Sequence, residues 1–135
     1  MTQTHPDPRA ELVGDVRHSP VVSIRGSDSL WDAWHVMFVS GLRHLVVVDD
    51  GGSIIGMITD RALLNDLPLT EHHLSERCVS EVMVSPGSVT DRDTAHSAAA
   101  RMTLFAVDAL PIADEAGRLA GLITASDLAA WVADS

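Results

Sequence analysis

Residues 45–64 read LVVVDDGGSIIGMITDRALL, and residues 110–129 read LPIADEAGRLAGLITASDLA, so the chain carries one pattern twice. At an offset of 65 the identities are Ser23/Ser88, Asp28/Asp93, Ala33/Ala98, Met37/Met102, Leu45/Leu110 and Asp49/Asp114. They continue with Gly52/Gly117, Gly56/Gly121, Ile58/Ile123, Thr59/Thr124 and Leu63/Leu128. Upstream an offset of 66 aligns Val13/Val79, Val16/Val82, Ser19/Ser85 and Pro20/Pro86, so the second copy has lost one residue near Val21. Two long copies do not make a solenoid, which needs at least three stacked units. They suit two half-domains packed face to face.

At 135 residues the chain fits one compact domain or two intimate halves. A half alone would bury only about 60% of its unfolded surface, so the expectation is a shared core. The longest apolar run near the middle, Leu45 to Val48, is far short of the ~20 residues that span a bilayer. The N-terminus, MTQTHPDPRAE, lacks a basic segment followed by an apolar one and does not read as a signal peptide. The single cysteine, Cys78, has no intrachain partner and fits a reducing cytoplasm. A formal charge of −10 with no basic stripe opposes nucleic acid and anionic membrane surfaces alike. A small anionic ligand is not excluded, because net charge is screened beyond about 8–10 Å.

Residues 1–10 read as a loose tail, 11–67 as a first repeat, 68–77 as a linker and 78–135 as a second repeat. Val21 to Ile24 suggest a short strand. Ser27 or Asp28 then caps a helix with Leu30, Ala33, Trp34, Met37 and Phe38 on its buried face, and Gly41 stops it. Leu45–Val48 and Ile54–Ile58 form a hairpin around Asp49-Asp50-Gly51-Gly52, and Thr59 opens a helix through Leu64. The second copy repeats the order: a strand near Ser88–Thr90, a helix from about Asp93 to Phe105, strands Ala109–Ala113 and Leu119–Ile123, and a helix Ala125–Ala133. The fold class is α+β: two β-α-β-β-α repeats packed around a pseudo-two-fold axis.

Thr124-Ala-Ser126-Asp127 carries the candidate chemistry. Thr124 can cap the helix while Asp127 reaches back to its N–H, a capping box. The first copy, Thr59-Asp60-Arg61-Ala62, keeps the threonine but loses the carboxylate. Asp127 is therefore open to a second role, accepting hydrogen bonds from a ribose diol, with Thr124, Ser126 and the helix start suited to phosphate.

The doubled unit resembles a tandem pair of CBS domains, a Bateman module, over roughly residues 12–133. The resemblance is carried by Gly56-Met-Ile-Thr59, Gly121-Leu-Ile-Thr124, Ala33…Met37, Ala98…Met102 and Leu110-Pro111-Ile112-Ala113-Asp114. It implies a non-catalytic regulatory module that binds AMP, ADP or ATP between its repeats and forms a homodimer. Carried over by position, one cleft combines Thr124, Ser126 and Asp127 with Pro20, Val21, Val22, Leu42, Arg43 and His44. The other combines Thr59, Arg61 and Ala62 with Gly87, Ser88, Val107, Asp108 and Ala109. Asp108 stands where the first cleft has Arg43, and a like charge beside phosphate costs roughly 1–4 kcal/mol. One working site is the expectation, the first.

The seven histidines lack i, i+4 pairing or a cysteine cluster, so no metal is implied. His72-His73 reads as a solvated loop pair and Cys78 as a small buried hydrophobe. Trp34 belongs to a core face, whereas Trp31 and Trp131 are candidates for cover by a second subunit. No nucleophile–base set or phosphate-binding glycine loop is present, so an enzyme is not expected. The rival reading is a dimerisation or docking module, with an unidentified protein partner and clefts that have lost their ligand.

Overall fold

The computed structural model describes residues 11–17, 20–66 and 68–134. The supposed tail, 1–10, and His5 and His18 lie outside the described residues. The fold is α+β and divides into two compact units. One is Val21–Ser85; the other joins Pro86–Ser135 to the segment ending at Pro20.

In the unit Val21–Ser85, strand β1 (Ser23–Arg25) runs parallel to β2 (His44–Val48), which pairs antiparallel with β3 (Ile54–Thr59). Helix α2 (Leu30–Ser40) lies between β1 and β2 in the chain. Ser29 caps it by accepting the Asp32 N–H, in place of the expected Ser27 or Asp28. Asp28 instead folds the preceding turn by accepting the Arg25 N–H. Gly41 ends the helix at φ 72°, as its lack of a Cβ permits. The hairpin turn is held by Asp49, whose Oδ1 accepts the Gly51 and Ser53 N–H groups at 2.9 Å each. Helix α3 (Asp60–Leu64) follows from Thr59.

Two expectations are corrected in this unit. Phe38 is 80% exposed, whereas Leu30, Ala33 and Met37 are buried. At about 100° per residue, Phe38 falls roughly 80° around the helix from Leu30, outside the wedge that faces the sheet. The linker is also not all loop. Residues Glu71–Ser75 form helix α4, capped by Thr70, and its Leu74 is buried in the core with Leu30, Leu45, Ile58 and Leu63. The histidine doublet lies on that helix. His73 is half-buried, 3.2 Å from Asp66, while His72 points toward Glu76 at 3.5 Å.

In the second unit, α1 (Val13–Val16) packs with α5 (Ala95–Phe105) and α6 (Ala125–Ala133). Strands β4 (Ala109–Ala113) and β5 (Leu119–Thr124) form a two-stranded sheet. The expected strand near Ser88–Thr90 shrinks to one parallel bridge, Val89 to Ile112. The reason lies in one residue. In the other unit the Val46 N–H donates to the Val22 carbonyl, but the equivalent position here is Pro111, which has no N–H. Helix α5 begins at Ala95, two residues beyond the expected Asp93, with Thr94 as its cap.

Each unit has its own cluster of buried apolar side chains, with Leu30, Leu45 and Ile58 in one and Leu110, Ile112 and Ile123 in the other. The opening segment of each repeat belongs to the unit built from the rest of the other repeat. Val13 donates to the Asp93 carbonyl and Gly14 to that of Asp91; Val79 donates to Asp28 and Ser80 to Gly26. These bonds are equivalents under the repeat, so the exchange is itself duplicated.

Candidate functional site

At the start of α6, Thr124 accepts the Asp127 N–H at 3.0 Å, and Asp127 Oδ2 accepts the Thr124 N–H at 2.9 Å. The capping box therefore forms, the first of the two roles open to Asp127. Asp127 as a whole residue is only 3% exposed. In the first copy, Thr59 still accepts the Ala62 N–H at 3.2 Å, but Ala62 returns nothing to Thr59. The two helix starts thus differ by one carboxylate–amide bond. Ser126 is exposed beside the cap.

A backbone contact anchors each helix start to the residue before the hairpin's first strand. The Ala125 N–H donates to the Asp108 carbonyl at 2.8 Å, and the Asp60 N–H donates to the Arg43 carbonyl at 3.0 Å. Within a unit, then, Thr124 and Asp127 are neighbours of Asp108, and Thr59 and Arg61 are neighbours of Arg43. His44 is half-buried and in register with Thr59 across β2 and β3. Val21, Val22 and Leu42 are half-buried, and Arg43 and Pro20 are exposed. The structure brings together Thr124, Ser126 and Asp127 on one unit, and Leu42, Arg43 and His44 on the other. Pro20 ends the N-terminal segment of the unit that holds the first of these groups, while Val21 and Val22 begin the unit Val21–Ser85.

Residues 13–68 and 79–134 each match the CBS domain family. A CBS domain-containing protein of Dictyostelium discoideum is 34% identical over 127 residues, covering 87% of this chain and 88% of its own. The chain belongs to the CBS domain family. It is a tandem CBS module, and the architecture agrees with solved pairs. The CBS domain protein PAE2072 from Pyrobaculum aerophilum, solved with AMP, superposes with a TM-score of 0.76 at 17% identity, covering 87% of this chain and 89% of that one. The CBS domain pair of protein MJ0100, solved with 5′-methylthioadenosine and S-adenosyl-L-methionine, gives 0.75 at 20% identity, covering 88% and 97%. A homoserine O-acetyltransferase of Methanococcoides burtonii is 31% identical over 116 residues, 86% of this chain. The chain spans only about 23% of such relatives' length, so their enzymatic name describes proteins with much more chain.

The repeat also differs within the CBS helices in a way that sequence reading passed over. Between α5 and α6 lies an open hollow of about 420 Å³, lined by Ala99, Met102, Thr103, Val107, Asp108 and Leu128 among others. The equivalents of Ala99 and Thr103 in the first copy are Trp34 and Phe38. Trp34 packs half-buried on its own core. A signal was present in the offset alignment, as large residues set against small ones at matched helix positions. Among the described residues no three histidine, cysteine or acidic side chains gather as a metal would need, and no helix is long and apolar enough to cross a membrane.

Proposed function

We propose that this CBS pair is a regulatory module that binds one adenosine nucleotide of the AMP, ADP or ATP type. Asp127 binds the ribose, Thr124 and Ser126 bind ribose or phosphate oxygens, and Arg43 with His44 neutralises phosphate. Val21, Val22, Leu42 and Pro20 supply the apolar wall for the base. The observation that carries this reading is the carboxylate of Asp127, present in the second copy and absent from the first, on a fold whose solved relatives hold adenosyl ligands. Binding changes the stability of one arrangement of the chain or of its dimer, and a partner protein or self-association carries the output.

Thermal denaturation with a panel of AMP, ADP, ATP, S-adenosylmethionine and NADH tests the proposal. A ligand at 100 times its dissociation constant stabilises the folded form by about 2.7 kcal/mol. Asp127→Asn keeps a side-chain oxygen for the cap but removes the charge, and the shift should vanish with it. A panel that leaves the melting curve unmoved at millimolar concentration rules the ligand reading out.

A specific observation favours a second reading, an interaction module without ligand. Phe38, Val39 and Leu104 are 78–83% exposed on the helices, an apolar display that commonly marks a contact surface. In that case Asp127 holds no ligand, and Asp127→Asn leaves every function intact.

A further inference from the structure

The segment that opens each repeat passes beside a glycine, and the two crossings differ in chemistry. In the unit Val21–Ser85 the crossing residue is Met83, which packs on the core and lies beside Gly56. Its counterpart in the other unit is Arg17, beside Gly121. Asp91 holds the Arg17 guanidinium as a fork. Nε donates to Oδ1 at 2.8 Å and Nη2 to Oδ2 at 3.3 Å, while Nη1 donates to the Ala120 carbonyl at 3.4 Å. The counterpart of Asp91 is Gly26, so the other copy has no carboxylate at that place.

Residues 11–17 form a strap held in place from outside. Helix α1 has four residues, too few to be stable alone. The Val13 and Gly14 N–H groups donate to the Asp93 and Asp91 carbonyls, the Ala95 N–H donates to the Glu11 carbonyl, and Val13 and Val16 are buried. The same cluster contains Ile123, the neighbour of Thr124, and α1 packs with α6. Arg17 meets β5 at Ala120, in the strand that ends at Thr124. The strap therefore touches both elements that join at the Thr124–Asp127 cap. Its Arg17–Asp91 pair is partly open to solvent, with side chains 30% and 46% exposed, where dissolved salt screens it.

We propose that the Arg17–Asp91 pair is a salt-sensitive latch: it holds residues 11–17 on the unit that carries Asp127, and release of that strap loosens the start of α6. Screening weakens an ion pair of this kind and leaves apolar packing such as that of Met83 in place, so the two straps respond differently to ionic strength. The latch needs no ligand; only its influence on nucleotide binding rests on the proposed function.

Hydrogen exchange read by NMR on the full, ligand-free chain tests this, so a failure to bind any adenylate leaves the result standing. Sodium chloride is raised from about 0.01 M to about 1 M, which shortens the screening length from about 30 Å to about 3 Å. Protection of the Val13 and Gly14 amides should fall roughly three- to fivefold, the loss expected for a partly exposed pair. The Met57 and Val84 amides, which donate to each other's carbonyls beside Met83, should keep theirs. Asp91→Asn should give the same loss already at low salt, and Arg17→Met, which installs the residue of the other copy, should remove the salt response. In wild type at high salt and in Asp91→Asn, the Thr124 and Asp127 amides should lose protection together with the strap. An equal salt response in the two straps, or none at Val13 and Gly14, overturns the latch. Strap amides as protected as those of β4 and β5 would mean that residues 11–17 leave only when the whole unit unfolds, which overturns it too. Thr124 and Asp127 amides that stay protected while the strap opens overturn the coupling to α6.

Discussion

Asp127 caps its helix, and under the proposed function it also holds the ribose; substitutions can pull the two roles apart. Losing an N-cap partner costs about 0.5–2 kcal/mol, so Asp127→Ala should lower stability by about that amount in urea unfolding. Asp127→Asn should cost clearly less while still abolishing any ligand response. A second matched pair concerns backbone strain. Gly41 and Ala106 both end a long helix in the left-handed region, at φ 72° and 54°. That conformation costs an L-residue roughly 1–2 kcal/mol, partly offset by the extra unfolded-state freedom of glycine. Ala106→Gly should therefore stabilise the protein by about 0.5–1 kcal/mol, and Gly41→Ala should destabilise it by a similar amount in the same assay.

Between elements, the exchanged segments depend on two equivalent glycines. A Cβ on Gly121 would fall on the guanidinium of Arg17, which pairs with Asp91 at 2.8 Å. A Cβ on Gly56 would meet the Val84 carbonyl and the Met83 sulfur, both at 2.8 Å. An arginine tip can swing away, but a backbone carbonyl bonded to Met57 cannot. Gly56→Ala should cost about 1–3 kcal/mol, and Gly121→Ala less. In an Arg17→Ala background, Gly121→Ala should become neutral or stabilising, a coupling that a double-mutant cycle reads directly.

The same scale shows what sequence pattern carries. Strands with apolar runs and helices with threonine caps were legible, because their signals are local: Thr59, Thr124, Gly41 and the Asp49 turn all sit where they were expected. The parallel strand at Ser88–Thr90 was not, since its length depends on whether a neighbouring strand donates an N–H, and Pro111 does not. Helix α4 hid in polar composition, with Leu74 as its one buried anchor. At the candidate site, the residue types were legible and the capping bond of Asp127 was one of two open readings. Only coordinates could show that the bond forms.

At the level of the whole chain, duplication with divergence is the organising fact. Each copy keeps the fold-making residues, whereas carboxylate, cation and bulk are distributed unequally: Asp127 against Ala62, Arg43 against Asp108, Trp34 and Phe38 against Ala99 and Thr103. Unequal copies are the reason the proposed function takes one adenosine ligand per chain. Isothermal titration of the purified protein with AMP, ADP and ATP counts that number. The account requires a stoichiometry of one per chain for at least one of them, lost in Asp127→Asn. Binding of two per chain, or no heat with any adenylate, contradicts it.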